Sequence, residues 1–260
     1  DSSAKGTNAA AFGQKSEAFG QNSLAAGQDS HATGKSSVAI GDGAKASEGQ
    51  ATAVGVGTNA SAGGASAYGY LTQASGYLST AIGNQANAKG AHSVAISKAV
   101  AAEENTIAIG NNASGAWTNT IAVGKDTVAS QDHALAMATS AKAIGVQSVA
   151  IGSYSNASAD SVVALGQNAK AGGEVQAGAT KGPGTAAVAV GKSSKASSNN
   201  AIAVGVQSET KGRNGVGVGA YSEATAGRST AVGTLAQANG EGAFAAGASA
   251  RATGANSIAI

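Results

Sequence analysis

Three histidines, His31, His92 and His133, one adjacent acidic pair, Glu103-Glu104, and many serines are the residues of this chain whose types could carry chemistry. An imidazole can ligate zinc or move a proton, but only when further ligands or a hydrogen-bonded partner converge on it. His92 and His133 occupy the same place in an internal repeat, three copies apart. At an advance of about 4.8 Å per copy they stand roughly 14 Å from each other, too far to share one metal ion. The serines recur at fixed repeat positions, where small size or turn chemistry accounts for them, and no Ser/His/Asp set emerges. "GVGVG" at Gly215 lacks the strand-Gly-helix context of a phosphate loop, and Glu103-Glu104 reads as a solvated turn ahead of a strand. No catalytic residue, metal ligand or cofactor is therefore expected. Trp117, in "SGAWTNT", is a surface aromatic that could anchor a partner, cap a gap in packing or contact a neighbouring chain. Lys181 and Pro183, in the irregular stretch "GGEVQAGATKGPG", are comparable candidates, because insertions in repeat arrays often carry function.

The elements that hold these residues are written in the spacing. A Gly closing "AIG"-like triplets falls at 13, 27, 41, 55, 69 and 83, is replaced by Ser97, and continues at 110 and 124. Ala138 then replaces it before Gly152 and Gly166, and the series resumes at 191, 205, 219, 233 and 247. The step is 14 except for one of 13 and one of 25. Ala stands two before the Gly in nearly every copy, Gly217 being an exception, while one and three before it are mostly Val, Ile or Leu. In the second half Ala recurs three and five after the Gly, as in Ala44 and Ala46, with polar residues between. Small and large alternate with period two, the signature of a strand. Each copy thus predicts two short strands and two tight turns, with Asn105, Asn119, Asn200, Asn214 and Asn256 suited to left-handed turn geometry. Stacked copies predict an all-β parallel solenoid, a β-roll of 14-residue coils.

Composition agrees. With 39 glycines, 3% aromatics and one proline, the chain lacks the bulk of an ordinary core. There is no cysteine to form a disulfide, and a net charge of +2 with scattered charges does not outline a nucleic-acid surface. No stretch has the length of a transmembrane helix and no signal peptide is seen, so direct membrane insertion is not expected. Because the chain opens on Asp1 and stops in mid-motif, it is read as a fragment of a longer protein.

Ala39 and Ala46 lie seven apart in the two strands of one coil, which suggests that both point into a thin shared interior. Val and Ile of the first strand then face outward and form an apolar stripe of a size that marks an interface. The alternative arrangement puts Val and Ile inside and Ala outside. On the first arrangement the expected interface between identical chains is Val38, Ile40, Val54, Ile82, Val94, Ile96, Ile107, Ile109, Ile121, Val123, Val149, Ile151, Val163, Leu165, Val188, Val190, Ile202 and Val204.

The stretches "SSVAIG", "NTIAIG", "NTIAVG", "QSVAIG", "NAIAVG" and "NSIAI", in phase over nearly the whole chain, resemble the YadA-like head of trimeric autotransporter adhesins. The resemblance implies a left-handed β-roll, a homotrimer, and display from the outer membrane of a Gram-negative bacterium. It also implies binding to host extracellular-matrix proteins such as collagen, fibronectin or laminin, and in some members autoaggregation. On this reading residues 1–260 are a single head domain with an irregular coil or loop at about 172–186, lacking the neck, stalk and membrane anchor. A structural spacer that holds another adhesive domain away from the cell is the alternative. An acyltransferase β-helix would need a six-residue period, and an ice-binding solenoid regular rows of Thr; neither is present.

Overall fold

A computed structural model of the chain describes residues 1–173 and 185–260. Its contacts divide it into two units, Asp1–Asp126 and Thr127–Ile260, built alike; their described residues form parallel β-solenoid coils without a helix.

In the first unit, three-residue strands such as Val38–Ile40 alternate with two-residue strands such as Lys45–Ala46. Val38 pairs in parallel with Thr52, Ala39 with Ala53 and Ile40 with Val54, while Lys45 pairs with Asn59 and Ala46 with Ala60. A register equal to the repeat length stacks each residue on its own counterpart in the next coil. The 13-residue step leaves this stacking intact: Asn87 pairs with Val100 and Val94 with Ile107. The residue is lost from the turn between Ile96 and Val100, outside both strands.

In the second unit, Val149 pairs with Val163 and Ile151 with Leu165. The 25-residue step is bridged directly, since Val163 pairs with Val188 and Lys170 with Lys195. Among the described residues no strand of either sheet stands between the pairs. The irregular loop expected near 172–186 falls largely on residues 174–184, outside the described residues.

The interior is as thin as the alanine columns require. Ala39, Ala46, Ala53 and Ala60 in the first unit, and Ala150, Ala157, Ala164 and Ala171 in the second, have no exposed surface. Alanines of both strands therefore meet in one methyl layer, and the arrangement with Val and Ile inside is not the one adopted. Serines and threonines at the coil corners are buried as well, and several satisfy their hydroxyls locally. Ser16 Oγ donates to the Gly13 carbonyl (3.0 Å), Thr58 Oγ1 to that of Gly55 (3.1 Å) and Ser194 Oγ to that of Gly191 (2.9 Å). These are the local side-chain bonds that favour turns.

Two exceptions in the columns have a steric cause. Gly217 stands where other coils have Ala because a Cβ there would lie 2.7 Å from Thr210 Oγ1. Thr210 itself fills an alanine position of the second strand, is fully buried, and donates to the Ile202 carbonyl (2.8 Å). In the first unit Gly115 likewise makes room for Thr106 and Thr120, the latter's Oγ1 lying 2.9 Å from a Cβ built there. The methyl layer thus keeps a fixed thickness, with one larger side chain offset by one missing one.

The turns carry a residue of positive φ every seven positions along most of the chain: Asn8, Lys15, Asn22, Asp29 and Ser36 lie between 53° and 58°, and the series ends with Ser249 and Asn256. Ser36 shows why. Its neighbour Ser37 donates to the Gly34 carbonyl (3.2 Å), closing a four-residue turn whose third residue must be left-handed. Its own N–H reaches the Gln21 carbonyl of the preceding coil (2.7 Å). A second constraint fixes the Gly that closes each first strand. Gly41 has φ of 123°, and a Cβ there would meet the Gly55 carbonyl oxygen at 2.5 Å. Ser97 (φ 71°) and Ala138 (φ 90°) keep positive φ where the Gly is replaced.

Candidate interaction faces

Because the side chains of a strand alternate, burying the central Ala of each first strand turns its two neighbours outward. All eighteen Val, Ile and Leu residues expected at an interface lie on this outward side, and none is buried. Ile40, Ile82 and Ile151 are 37%, 40% and 37% exposed, which leaves much of each side chain in water while Ala39, Ala81 and Ala150 are fully enclosed. The register gathers them into continuous apolar rows. In the first unit Val94, Ile107 and Ile121 stack in one row and Ile96, Ile109 and Val123 in the next. In the second unit the rows run Val149, Val163, Val188, Ile202 and Ile151, Leu165, Val190, Val204. Tyr68 and Met137 stand in the same rows and are also exposed.

The opposite sheet presents a different surface. Its outward residue is Glu17, His31, Lys45 and Asn59 in successive coils of the first unit. In the second unit it is Lys142, Asn156, Lys170, Lys195, Glu209 and Glu223. This is a face built to meet water.

The groups with possible chemistry do not converge. His31 Nε2 lies 3.4 Å from Glu17 Oε2 on the polar sheet. His92 sits at a positive-φ turn position, 3.9 Å from Glu104 Oε1 and edge-on to the Tyr77 ring at a centroid distance of 5.9 Å. His133 holds the equivalent turn position in the second unit. Among the described residues no group of three His, Cys, Asp or Glu is arranged to hold a metal ion, and no helix is long and apolar enough to cross a membrane. Trp117 is half exposed at a turn, with its carbonyl accepting from Thr120 Oγ1 (2.7 Å) and Thr106 Oγ1 (3.0 Å). Its backbone is thus tied to the coil corners while its ring faces solvent. Lys181 and Pro183 lie outside the described residues.

Two features escape a reading of the alanine and glycine columns. One is a set of exposed aromatic and leucine side chains in the first unit, Tyr70, Leu71, Tyr77 and Leu78. Leu71 and Leu78 lie across Gly57 and Gly64 of the coil before, where a Cβ would come within 2.6 Å and 2.5 Å of a leucine methyl. The signal was the coincidence of Gly at 57 and 64 with Leu fourteen residues later. The other is the lysine row of the second unit, legible only when the position four after each Gly is followed as a column of its own.

A family model described as "YadA head domain repeat (2 copies)" matches residues 4–30, 32–58, 74–96, 97–113, 118–137, 143–169, 183–208, 211–236 and 238–260. No curated protein matches the chain. The matched segments cover most of the sequence and follow the coils described above, so that the outward apolar rows and the polar sheet are the two faces of an adhesin-type repeat rather than parts of a known enzyme family. The chain belongs to the family of YadA head domain repeats.

Proposed function

We propose that the chain is the head of a bacterial surface adhesin that works as a homotrimer, with the Val/Ile rows of three copies turned toward a common axis. The supporting observation is the two-sided character of each first strand. Its small residue is buried to the limit, and its large apolar residues are left half in water. Burying such rows at roughly 25 cal/mol per Å² supplies stability that a layer of methyl groups does not. The polar sheets then form the outer surface, displayed from the outer membrane of a Gram-negative cell as one head domain. Each of three equivalent surfaces contacts a repeating matrix polymer such as collagen, fibronectin or laminin. Weak contacts made together give the avidity that single contacts lack.

The test has two parts. Light scattering of the purified chain is expected to give three times its mass of 24.4 kDa; a monomer at micromolar concentration removes the assembly. Solid-phase binding to collagen, fibronectin and laminin is expected to exceed binding to albumin. Equal signals favour a spacer that carries another adhesive domain.

A further inference from the structure

The chain's net charge of +2 is unevenly divided: residues 127–260 hold nine of the 16 basic and six of the 14 acidic residues. Much of the surplus stands on the polar sheet. Lys142, Lys170 and Lys195 share the outward column, separated only by Asn156, and Lys170 pairs directly with Lys195. Parallel neighbours sit about 4.8 Å apart, and like charges directly opposite each other oppose pairing. The column nevertheless sets two lysines side by side. Glu209 is the carboxylate that answers them. Its Oε1 lies 3.9 Å from Lys195 Nζ and its Oε2 3.1 Å from Lys211 Nζ. Among the described residues Lys142 and Lys170 make no ion pair. A shallow cleft of about 230 Å³ opens between these side chains, lined by Lys170, Gly172, Lys195, Ser197, Glu209 and Lys211. Among the described residues Gly172 and Ser197 take the place that Lys211 fills two coils on from Gly172.

We propose that this cleft and the lysines along it bind a sulfated polysaccharide lying across the coils, with sulfate groups set between Lys170, Lys195 and Lys211. Three observations favour a linear polyanion: the charges repeat along one line, they surround an open trough rather than an enclosed pocket, and two of them have no counter-ion among the described residues. A sulfated chain offers successive anions to successive lysines, and each contact adds to the next. The inference concerns the same polar sheet as the matrix-protein reading but another class of ligand. It requires only that the polar sheet stay open in the assembly.

The probe is heparin, immobilised, with the full chain in solution. Wild type is expected to bind and to be released by salt, as exposed charge contacts are. Lys170→Gln with Lys195→Gln is expected to weaken binding about tenfold, at a few-fold per exposed charge contact. Its thermal midpoint should remain at the wild-type value. Glu209→Gln, which frees Lys195 and Lys211, is expected to tighten binding. Lys35→Gln with Lys45→Gln removes two charges from the first unit, including the same column position, and is expected to change nothing. Unaltered binding by the Lys170/Lys195 variant overturns the proposal, as does an equal loss in the Lys35/Lys45 control, which would mean diffuse charge attraction. Equal retention by unsulfated hyaluronan overturns it too. Collagen, fibronectin and laminin binding and the molar mass are read on the same variants. The proposal and the adhesin reading can therefore fail separately.

Discussion

The two sheets of a coil share an interior and differ in everything they turn outward. In Val38–Ile40 and Lys45–Ala46 the buried residues are the same, Ala39 and Ala46, both without exposed surface. The neighbours of Ala39 are Val and Ile, and those of Ala46 are Lys45 and Ser47. The difference separates two tasks that a globular core performs together. The methyl layer sets the distance between sheets and the register of the stack; the outward side chains give one sheet an apolar surface and the other a polar one. The separation is tested by making equivalent changes in the two sheets and asking where the effects agree and where they diverge.

The largest effect is expected where the sheets agree. Ala39→Leu and Ala46→Leu each force three extra carbons into a layer that has room for a methyl group. Overpacking costs about 1–3 kcal/mol in ordinary cores and more where the backbone cannot retreat. Here each strand is fixed by pairing on both sides. Both variants should lose at least about 3 kcal/mol in denaturant unfolding, or fail to fold, and by similar amounts. A large loss from one and a small loss from the other would mean that the interior is not shared.

Next come the outward rows, where the sheets should part. Ile96→Lys with Ile109→Lys places two charges side by side in the apolar rows of the first unit, while Asn87→Lys with Gln73→Lys makes the same change in the polar sheet. Light scattering should show the first pair reduced to monomer or aggregated, with a thermal midpoint that no longer rises with protein concentration. The second pair should keep the wild-type mass and shift stability by no more than about 0.5 kcal/mol. Equal behaviour of the two pairs removes the case that the Val/Ile face is covered by sister chains.

A smaller effect tests the thickness of the methyl layer within one coil. Gly217→Ala puts a Cβ 2.7 Å from Thr210 Oγ1 and should cost about 1–3 kcal/mol. Thr210→Ala with Gly217→Ala restores the pair found in neighbouring coils and should recover most of that loss. The coupling between the two sites is then about 1 kcal/mol or more by a double-mutant cycle. Additive losses would mean that the glycine answers some other constraint.

Much of this fold is legible in the sequence because the stacking repeats one decision many times. The period, the alternation and the alanine columns identify both strands of each coil, and the predominance of Val and Ile one and three before the Gly marks the outward apolar rows. What the columns conceal is anything settled between coils. Gly217 looks like a lapse in the alanine column until Thr210, seven residues earlier and in the other strand, is seen to occupy its space. The lysine row is hidden for a related reason. Lys142, Lys170 and Lys195 are 28 and 25 residues apart in the chain, and the irregular step between the last two conceals that they are direct neighbours. Trp117, singled out as a lone aromatic, does face solvent, but its sequence context gives no sign that two threonine hydroxyls fix its carbonyl.

The smallest effect expected belongs to the turns, which serve both sheets alike. Where the seventh residue is Asn, as at Asn105, the left-handed conformation is among the easiest for a residue with a side chain, and the amide reaches Asn119 Oδ1 of the next coil (3.2 Å). Where it is Leu78, at φ 53°, the same conformation costs about 1 kcal/mol. The leucine side chain recovers some of this by lying over Gly64. Leu78→Asn should therefore raise stability by about 0.5–1 kcal/mol, and Asn105→Leu should lower it by about as much, since His92 and not a glycine holds the equivalent place in the coil before. Opposite signs at two equivalent turns would show that the conformation, and not the particular contact, sets the balance. If Leu78→Asn is destabilising instead, the leucine's packing on Gly64 outweighs the backbone cost, and the exposed Leu71 and Leu78 of the first unit are structural clasps rather than tolerated strain.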